Sequence, residues 1–241
     1  MKSIISIFSA CVLVAFSACA QNSTTSVPNV EEAAATPKRV SILGDSYSTF
    51  EGFIPEGYIA WYKPVPKEGR PTDVTRPEQT WWQIYIDRHG YELEANDSYS
   101  GATVCNTGYG GADYSDRSFA TRVGRLGNPD IIFLFGGTND AWAEAPLGDY
   151  IWSGWSDADL YSYRPAAAYV VSNLKERYPE AEVLVIINDE ISEDVKESTV
   201  KIADHYGVGY VQLHDIEKMS LHPDSRGMVQ IADQIDNALA R

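Results

Sequence analysis

The sequence predicts a doubly wound α/β sandwich in which helices cover both faces of a mostly parallel sheet of about five strands. Two observations lead to this prediction. Short apolar runs rich in β-branched residues recur along the chain, and such runs are typical of strands buried on both faces. Helical patterns long enough to form crossover connections alternate with these runs. The length of 241 residues leaves room for one such domain.

The individual elements follow from apolar periodicity and from the turn residues between them. The first strand ends at Gly44, and the third is a continuous apolar run closed by two glycines, which is typical of the centre of a sheet. Residues 50–77 combine several prolines and glycines with aromatic residues, which predicts a long irregular segment. The predicted strands are 40–43, 91–96, 129–135, 181–188 and 208–213, and the predicted helices are 80–89, 157–178, 192–206 and 225–240.

Residues 1–20 have the order of a secretory signal, with one lysine, an apolar run and then small residues. Two cleavage sites compete. Residues 16–19 resemble a loose bacterial lipobox that would lipidate Cys19, whereas residues 18–20 suit ordinary signal peptidase, and we favour the lipobox. Residues 21–38 are polar and small and predict a flexible tether before a folded domain at 39–241. We therefore expect an exported protein, either a lipoprotein of a bacterial cell envelope or a secreted one.

Charge and cysteine content limit the possible partners. Acidic residues outnumber basic ones 34 to 19, for a formal charge of −15, which opposes binding to nucleic acid and favours neutral substrates. Cys11 and Cys19 lie in the export region, so Cys105 is alone in the domain and no internal disulfide is expected. No histidine lies near Cys105 in the sequence, which argues against a catalytic role for this thiol.

Polar motifs follow three of the predicted strands. In doubly wound folds, ligands bind beyond the carboxyl ends of the strands, so these positions are candidates for chemistry. Residues 44–47 follow the first strand, residues 96–101 follow the second and residues 136–140 follow the third. The glycine at 44 permits a sharp turn that lifts Ser46 to the edge of the sheet. Taken alone, such a Gly-Asp-Ser tripeptide is more typical of an ordinary turn.

Together these motifs resemble the SGNH/GDSL hydrolase family. Residues 44–46 match the nucleophile block of that family, residues 100–101 its glycine block, residues 137–140 its asparagine block and residues 222–223 its histidine block. All four occur in the family order, and the resemblance extends from Val40 to the C-terminal helix. It implies a flavodoxin-like three-layer sandwich and a serine esterase.

The resemblance also implies roles for particular residues. Ser46 would be the nucleophile that forms an acyl-enzyme, and His222 would be its base, since histidine is suited to take a hydroxyl proton near neutral pH. The oxyanion would be bound by the backbone amides of Ser46 and Gly101 and by the side chain of Asn139. Among the other histidines, His214 at the tip of the last strand is the alternative base.

The sequence departs from the family pattern at one position. The family places an aspartate three residues before the histidine, where this chain has Met219. Three explanations remain open. A carboxylate from elsewhere substitutes, with Glu217, Asp215 and Asp189 as candidates; a backbone carbonyl holds the imidazole; or the site has lost hydrolytic activity.

Aromatic residues point to the substrate. Residues 50–77 follow the nucleophile directly, and Trp142, Trp152 and Trp155 follow the asparagine block, so several rings could stack on sugars. We therefore expect hydrolysis of short acyl esters, such as acetyl esters, on a carbohydrate. The alternatives are a lipase or lysophospholipase of the same family and a decayed, glycan-binding envelope lipoprotein. No metal-binding spacing and no dinucleotide or phosphate loop is present, so neither a metal nor a cofactor is expected.

Overall fold

The computed structural model describes residues 36–240, so the predicted signal segment and most of the predicted tether lie outside the described residues. The strands are β1 Arg39–Gly44, β2 Glu92–Ser98, β3 Ile131–Phe135, β4 Glu182–Ile187, β5 Gly209–Gln212, β6 Lys218–Met219 and β7 His222–Pro223. The helices are α1 Trp81–His89, α2 Phe119–Arg122, α3 Thr138–Trp142, α4 Tyr163–Arg177, α5 Glu193–Tyr206 and α6 Ser225–Leu239. Within this part of the chain, no helix is long and apolar enough to span a membrane.

The first five strands form one parallel sheet in the order β2-β1-β3-β4-β5. This order is flavodoxin-like, and it confirms the predicted doubly wound α/β fold. The chain moves outward from β1 in opposite directions, first to β2 and later to β3. A crevice therefore opens beyond the carboxyl ends of β1 and β3, where the connections diverge, and ligands bind at this position in such folds.

Side chains of the central strand alternate between two apolar cores, as the pleat of a strand requires. Ile131, Phe133 and Phe135 pack on the face covered by α1 and α6. Ile132 and Leu134 pack on the opposite face, which α2, α4 and α5 cover. Because both faces of β3 are buried, its sequence shows no polar alternation.

The start of α4 differs from the prediction. The predicted helix began near residue 157, but the chain forms a 3-10 turn at Asp159–Tyr161, Ser162 is extended, and α4 begins at Tyr163. Pro165 explains the difference. Proline has no N–H to donate, and it is tolerated in the first turn, where the amides have no partner inside the helix. A helix that began at 157 would place Pro165 in its interior.

The β6–β7 hairpin was not predicted. It pairs Met219 with His222 in antiparallel orientation across a two-residue turn. Ser220 and Leu221 have φ values of 54° and 65°, so both central residues of the turn are left-handed, as in a type I′ hairpin. Asn-Gly and Asp-Gly are the usual residues there, and a bulky leucine with positive φ is strained. The hairpin therefore needs support from its surroundings.

The segment between β1 and α1 is irregular, as predicted. It contains one isolated bridge, between Phe50 and Tyr62, and ends in a 3-10 turn at Pro77–Gln79. The bridge and the Glu51 N–H, which donates to the carbonyl of Tyr62 at 3.0 Å, fold this segment back beside the end of β1. The residues at 59–62 are thus brought to the carboxyl edge of the sheet.

Candidate active site

Ser46 lies immediately beyond β1, in a 3-10 turn at Ser46–Ser48. The carboxylate of Asp45 accepts a hydrogen bond from the Tyr47 N–H at 3.0 Å and so caps this turn. Gly44 permits the close approach of β1 to its neighbours, because a Cβ at this position would lie 2.5 Å from Oγ of Ser98. The Ser46 side chain is therefore held at the edge of the sheet, in a turn that is fixed on both sides.

His222 contacts Ser46 directly. Its Nε2 lies 2.9 Å from Oγ of Ser46, and its Nδ1 lies 3.0 Å from the carbonyl oxygen of Ser220. A carbonyl oxygen can only accept, so Nδ1 holds the proton and Nε2 is free to accept the hydroxyl proton of Ser46. The hydrogen bond at Nδ1 therefore selects the tautomer that a general base needs.

The other histidines lie elsewhere. His214, the alternative base in the sequence analysis, has a side chain that is 73% exposed and contacts Asp215, so this alternative is wrong. His89 contacts Asp236 at 2.8 Å, and His205 stacks on Trp152.

None of the three candidate acids forms a hydrogen bond with His222. Asp215 is exposed beside His214, and Glu217 pairs with Arg226 at 3.0 Å. Asp189 pairs with the half-buried Lys218 of β6 and accepts from the Ile216 N–H at 3.0 Å. In this structure none of the three carboxylates contacts His222, so the first of the three open explanations finds no support in the geometry. The Ser220 carbonyl, one of the explanations left open, occupies the acid's position.

Burial lowers the pKa of His222 to about 4. The hydrogen bond to the Ser220 carbonyl opposes this shift, and the positive charges of Arg70 and Lys218 add to it. No carboxylate contributes to raising the pKa. The imidazole is therefore neutral, and able to accept a proton, at any pH well above 4.

Two tyrosines hold the hairpin that presents His222. The Tyr47 hydroxyl donates to the Leu221 carbonyl at 2.6 Å, and the Tyr62 hydroxyl donates to the Pro223 carbonyl at 2.8 Å. Both bonds are made to backbone atoms on either side of His222, and both tyrosines are buried. The strained turn is thus fixed from the nucleophile side of the site.

Behind the hairpin, Gly227 lets α6 approach the backbone of β6. A Cβ at Gly227 would lie 2.0 Å from the carbonyl oxygen of Glu217, so no larger residue fits. Asp224 caps the same helix by accepting from the N–H groups of Arg226 and Gly227. The hairpin therefore packs between the nucleophile turn and the start of α6.

The predicted oxyanion donors converge at the ends of β1, β2 and β3. In the part of the chain that the structure describes, the backbone N–H groups of Ser46 and Gly101 donate to no protein atom. The Asn139 Nδ2 donates to the Ala102 carbonyl at 3.0 Å and makes a longer contact of 3.4 Å with Asp45. Both hydrogens of Nδ2 therefore have protein acceptors, and the bond to Asp45 is the weaker one that an oxyanion would replace.

Tyr109 also belongs to the site, although the sequence analysis did not single it out for this role. Its hydroxyl donates to Oδ1 of Asn139 at 2.9 Å, and the residue is 41% exposed. The bond fixes the orientation of the Asn139 amide. The neighbouring glycines at 108, 110 and 111 carry no signal for this contact.

Aromatic rings surround the imidazole. The indole of Trp61 stacks on the His222 ring, with centroids 3.4 Å apart and planes 7° apart. Trp142 approaches the same ring edgewise at 6.3 Å. Trp152 stacks on His205 of α5, and Trp155 packs against Tyr169 of α4. Of the three tryptophans that were expected near the site, only Trp142 contacts His222, and the other two pack against α4 and α5.

Buried acids lie beneath these residues. Burial raises the pKa of Asp45 to about 7 and that of Asp140 to about 6. Asp140 accepts from the N–H groups of Val104 and Cys105 at 2.7 and 3.0 Å, which fixes the loop after Gly101. Within residues 36–240, no three His, Cys, Asp or Glu side chains are placed to hold a metal.

Cys105 is fully buried, and burial raises the pKa of its thiol. The side chain donates to the Thr107 carbonyl at 3.5 Å and packs in the core with α2 and α4. A buried thiol with a raised pKa is a poor nucleophile, in agreement with the expectation that Cys105 is not catalytic.

Comparisons with known proteins place the chain beside one family. A family model described as GDSL-like Lipase/Acylhydrolase matches residues 38–239. A candidate GDSL-like lipase from Bacteroides uniformis is 53% identical, with a TM-score of 0.82, and 85% of this chain and 96% of that chain are covered. One from Bacteroides ovatus is 50% identical, with a TM-score of 0.83 and coverages of 85% and 99%.

More distant structures share the fold. A carbohydrate acetylesterase from Sinorhizobium meliloti is 16% identical, with a TM-score of 0.57 and coverages of 84% of this chain and 98% of that chain. The search of curated proteins found no match.

The candidate acids can be separated by the rate at which a fluorophosphonate labels Ser46. We expect Asp215→Asn and Glu217→Gln to leave this rate within about twofold, because surface pairs contribute little. Asp189→Asn should slow labelling and lower the free energy of unfolding by about 1–3 kcal/mol, because it weakens the pairing of Lys218 beneath the hairpin. A tenfold slower rate in Asp215→Asn or Glu217→Gln would instead identify that carboxylate as the acid.

Proposed function

Because the chain belongs to the GDSL-like lipase/acylhydrolase family, we propose that it hydrolyses carboxylic esters through an acyl-enzyme on Ser46. The observation that supports this most strongly is the 2.9 Å contact between Oγ of Ser46 and Nε2 of His222, with the opposite ring nitrogen bonded to a carbonyl. This arrangement is a nucleophile with a base in the required tautomer.

In the proposed reaction, Ser46 Oγ attacks the ester carbonyl carbon while Nε2 of His222 takes the hydroxyl proton. The resulting oxyanion accepts hydrogen bonds from the backbone N–H groups of Ser46 and Gly101 and from Asn139 Nδ2. His222 then protonates the leaving alcohol as the ester bond breaks. A water molecule then attacks the acyl-enzyme as the same nitrogen takes its proton, and His222 returns this proton to Oγ of Ser46 as the acyl–oxygen bond breaks and the acid leaves.

The Ser220 carbonyl performs one of the two functions of a triad acid. It fixes the tautomer, and a wrong tautomer is the reason that losing the acid lowers turnover by about four orders of magnitude in a serine protease. It does not supply the negative charge that would stabilise the imidazolium. A Ser46–His222 dyad is therefore chemically sufficient, with a weaker base than a full triad.

We propose short acyl esters on a carbohydrate as the substrates. Trp142 approaches the His222 ring, and Tyr109 is exposed beside Asn139, so aromatic rings border the position of the scissile ester. Aromatic rings with a polar edge suit the mixed apolar and polar faces of a sugar. The Sinorhizobium protein is a carbohydrate acetylesterase with the same fold, although at 16% identity its likeness supports the fold alone.

A lipase or lysophospholipase is the second candidate, and one observation favours it. Leu221 in the hairpin turn is 65% exposed, and the neighbouring Met219 is 37% exposed. These apolar side chains flank His222 and could contact a long acyl chain. The third alternative, a glycan-binding protein without activity, would not need the contact between Ser46 and His222. Because this contact is present, the geometry favours an enzyme.

The acyl preference can be measured with p-nitrophenyl esters from acetyl to octanoyl and by release of acetate from acetylated oligosaccharides. We expect turnover that is highest for acetyl and absent in Ser46→Ala, because aromatic and polar groups border the dyad. Highest turnover on octanoyl would favour the lipase. Absence of Ser46-dependent turnover on every ester would contradict an esterase and favour the glycan-binding alternative.

Asn139→Ala tests the oxyanion donors. We expect kcat to fall by about 100- to 1,000-fold with little change in KM, because an oxyanion donor acts in the transition state. Asn128→Ala is the matched control, since Asn128 is exposed and lies before β3 at the opposite end of the strand. Equal kcat values in wild type and Asn139→Ala would exclude the side chain as a donor.

We also propose that the protein is exported and anchored by a lipid on Cys19. Support comes from the signal-like residues 1–20 and the lipobox-like residues 16–19. Growth of expressing bacteria with radioactive palmitate should label the wild-type protein and leave Cys19→Ser unlabelled, because the thiol is the acceptor. Labelling of neither protein would indicate ordinary secretion.

A further inference from the structure

Trp61 stacks face to face on the His222 ring. The centroids lie 3.4 Å apart and the planes differ by 7°, so the two rings touch over their full faces. The imidazole turns only about its Cβ–Cγ bond, and such a turn would carry Nδ1 and Nε2 away from the carbonyl of Ser220 and Oγ of Ser46. A flat surface against one face of the ring resists that turn.

Trp61 is itself tied to the nucleophile turn. Its backbone N–H donates to Oγ1 of Thr49 at 2.9 Å, and Oγ1 of Thr49 donates to the carbonyl of Ser46 at 2.9 Å. The next residue, Tyr62, donates through its hydroxyl to the backbone beside His222. The backbone at 61–62 is thus linked through Thr49 to the turn that carries Ser46, and through the Tyr62 hydroxyl to the segment that carries His222.

Within the residues that the structure describes, no negatively charged group is among those that act on His222, so the imidazolium that forms in the proposed reaction lacks a counter-charge. His222 becomes positively charged in each proton transfer, and the charged groups acting on it are the cations Arg70 and Lys218. Ser46, Tyr47, Tyr62 and Trp142, the other residues against the ring, carry no charge at neutral pH. The face of an indole is negative, and it attracts a cation placed above it.

We propose that Trp61 is a positioning residue for His222, holding the plane of the imidazole and stabilising the imidazolium in place of the aspartate that is replaced by Met219. The inference rests on the proposed function, because it assigns Trp61 a part in the same proton transfers. Arg70 lies 5.0 Å above the indole and competes for its negative face, which limits the effect.

Phenylalanine and leucine at position 61 test the aromatic face, because phenylalanine keeps a flat ring and leucine does not. Both side chains are smaller than tryptophan and similar to one another in volume, but only phenylalanine has a negative face. We expect Trp61→Leu to lower kcat on p-nitrophenyl acetate about 3- to 30-fold relative to Trp61→Phe, the range for a partly to fully desolvated cation–π contact. KM should change by less than about twofold, since a positioning residue acts on the transition state.

An NMR titration of the His222 ring gives a readout independent of turnover. The wild-type pKa is about 4, and the pKa in Trp61→Leu should be lower than in Trp61→Phe, because the leucine variant loses the contact that favours the charged ring. Equal kcat and equal pKa values in the two variants would overturn the proposal and leave Trp61 as a cover that excludes water.

Trp152→Leu is the matched control. Trp152 also stacks on a histidine, His205, at 3.9 Å and 16°, but this stack lies on α5. We expect no change in kcat in this control.

If a variant at position 61 does not fold, 5,7-difluorotryptophan can be introduced at position 61 instead. It keeps the shape of the ring while weakening its negative face, and kcat should fall. Unchanged kcat would overturn the proposal. Absence of Ser46-dependent turnover in the wild type would contradict the esterase, whereas the titration would still test the stack.

Discussion

The hydrogen bond between Nδ1 of His222 and the carbonyl of Ser220 is the constraint on which the site depends. A carbonyl two residues away can reach the ring only if the intervening turn is tight, and both central residues of this turn are left-handed. Such a turn without glycine stores strain that the surroundings must hold. Tyr47 and Tyr62 hold the backbone on one side, and the pair between Lys218 and Asp189 holds it on the other. The carboxylate that the sequence offered as an acid thus supports the hairpin.

A second constraint lies under the nucleophile. Arg122 is fully buried beside the carboxylate of Asp97, and its guanidinium also donates to the carbonyls of Asp97 and Gly44. One side chain therefore joins the ends of β1 and β2, from which the nucleophile and glycine turns leave the sheet. A buried ion pair is no guarantee of stability, but losing one partner leaves a buried charge that is costly. The pair fixes the geometry of the two strand ends, which the two proposed oxyanion amides follow.

The fold and the dyad could be predicted from the sequence, and the supporting contacts could not. Apolar runs such as 131–135 and the order of four motifs predicted the sheet and the partners Ser46 and His222, because both signals depend on residue type. The hairpin was missed because Ser220 and Leu221 are not the residues that type I′ turns prefer. The sequence could not identify Ser220 as the acceptor for Nδ1, because every residue has a carbonyl and only the fold decides which one reaches the ring. Trp61 could not be distinguished among the aromatics of 50–77, because long-range bonds such as that to Thr49 decide which ring reaches the site.

A carbonyl in place of a carboxylate at Nδ1 changes the pKa of His222 and, with it, which groups must stabilise the transition state. A carboxylate at Nδ1 would raise the pKa of His222, whereas here burial and two cations lower it to about 4. The imidazole is then neutral over a wide pH range, but it is a weaker base when Ser46 must be deprotonated. In the proposed reaction, the transition state would have to gain more from the proposed oxyanion donors and from the groups that contact the charged ring. The structure fixes the Asn139 amide through Tyr109 and the Ala102 carbonyl, and it fixes the loop after Gly101 through Asp140. A site with a weak base requires a rigid oxyanion hole, because electrostatic stabilisation there depends on donors that need no reorganisation.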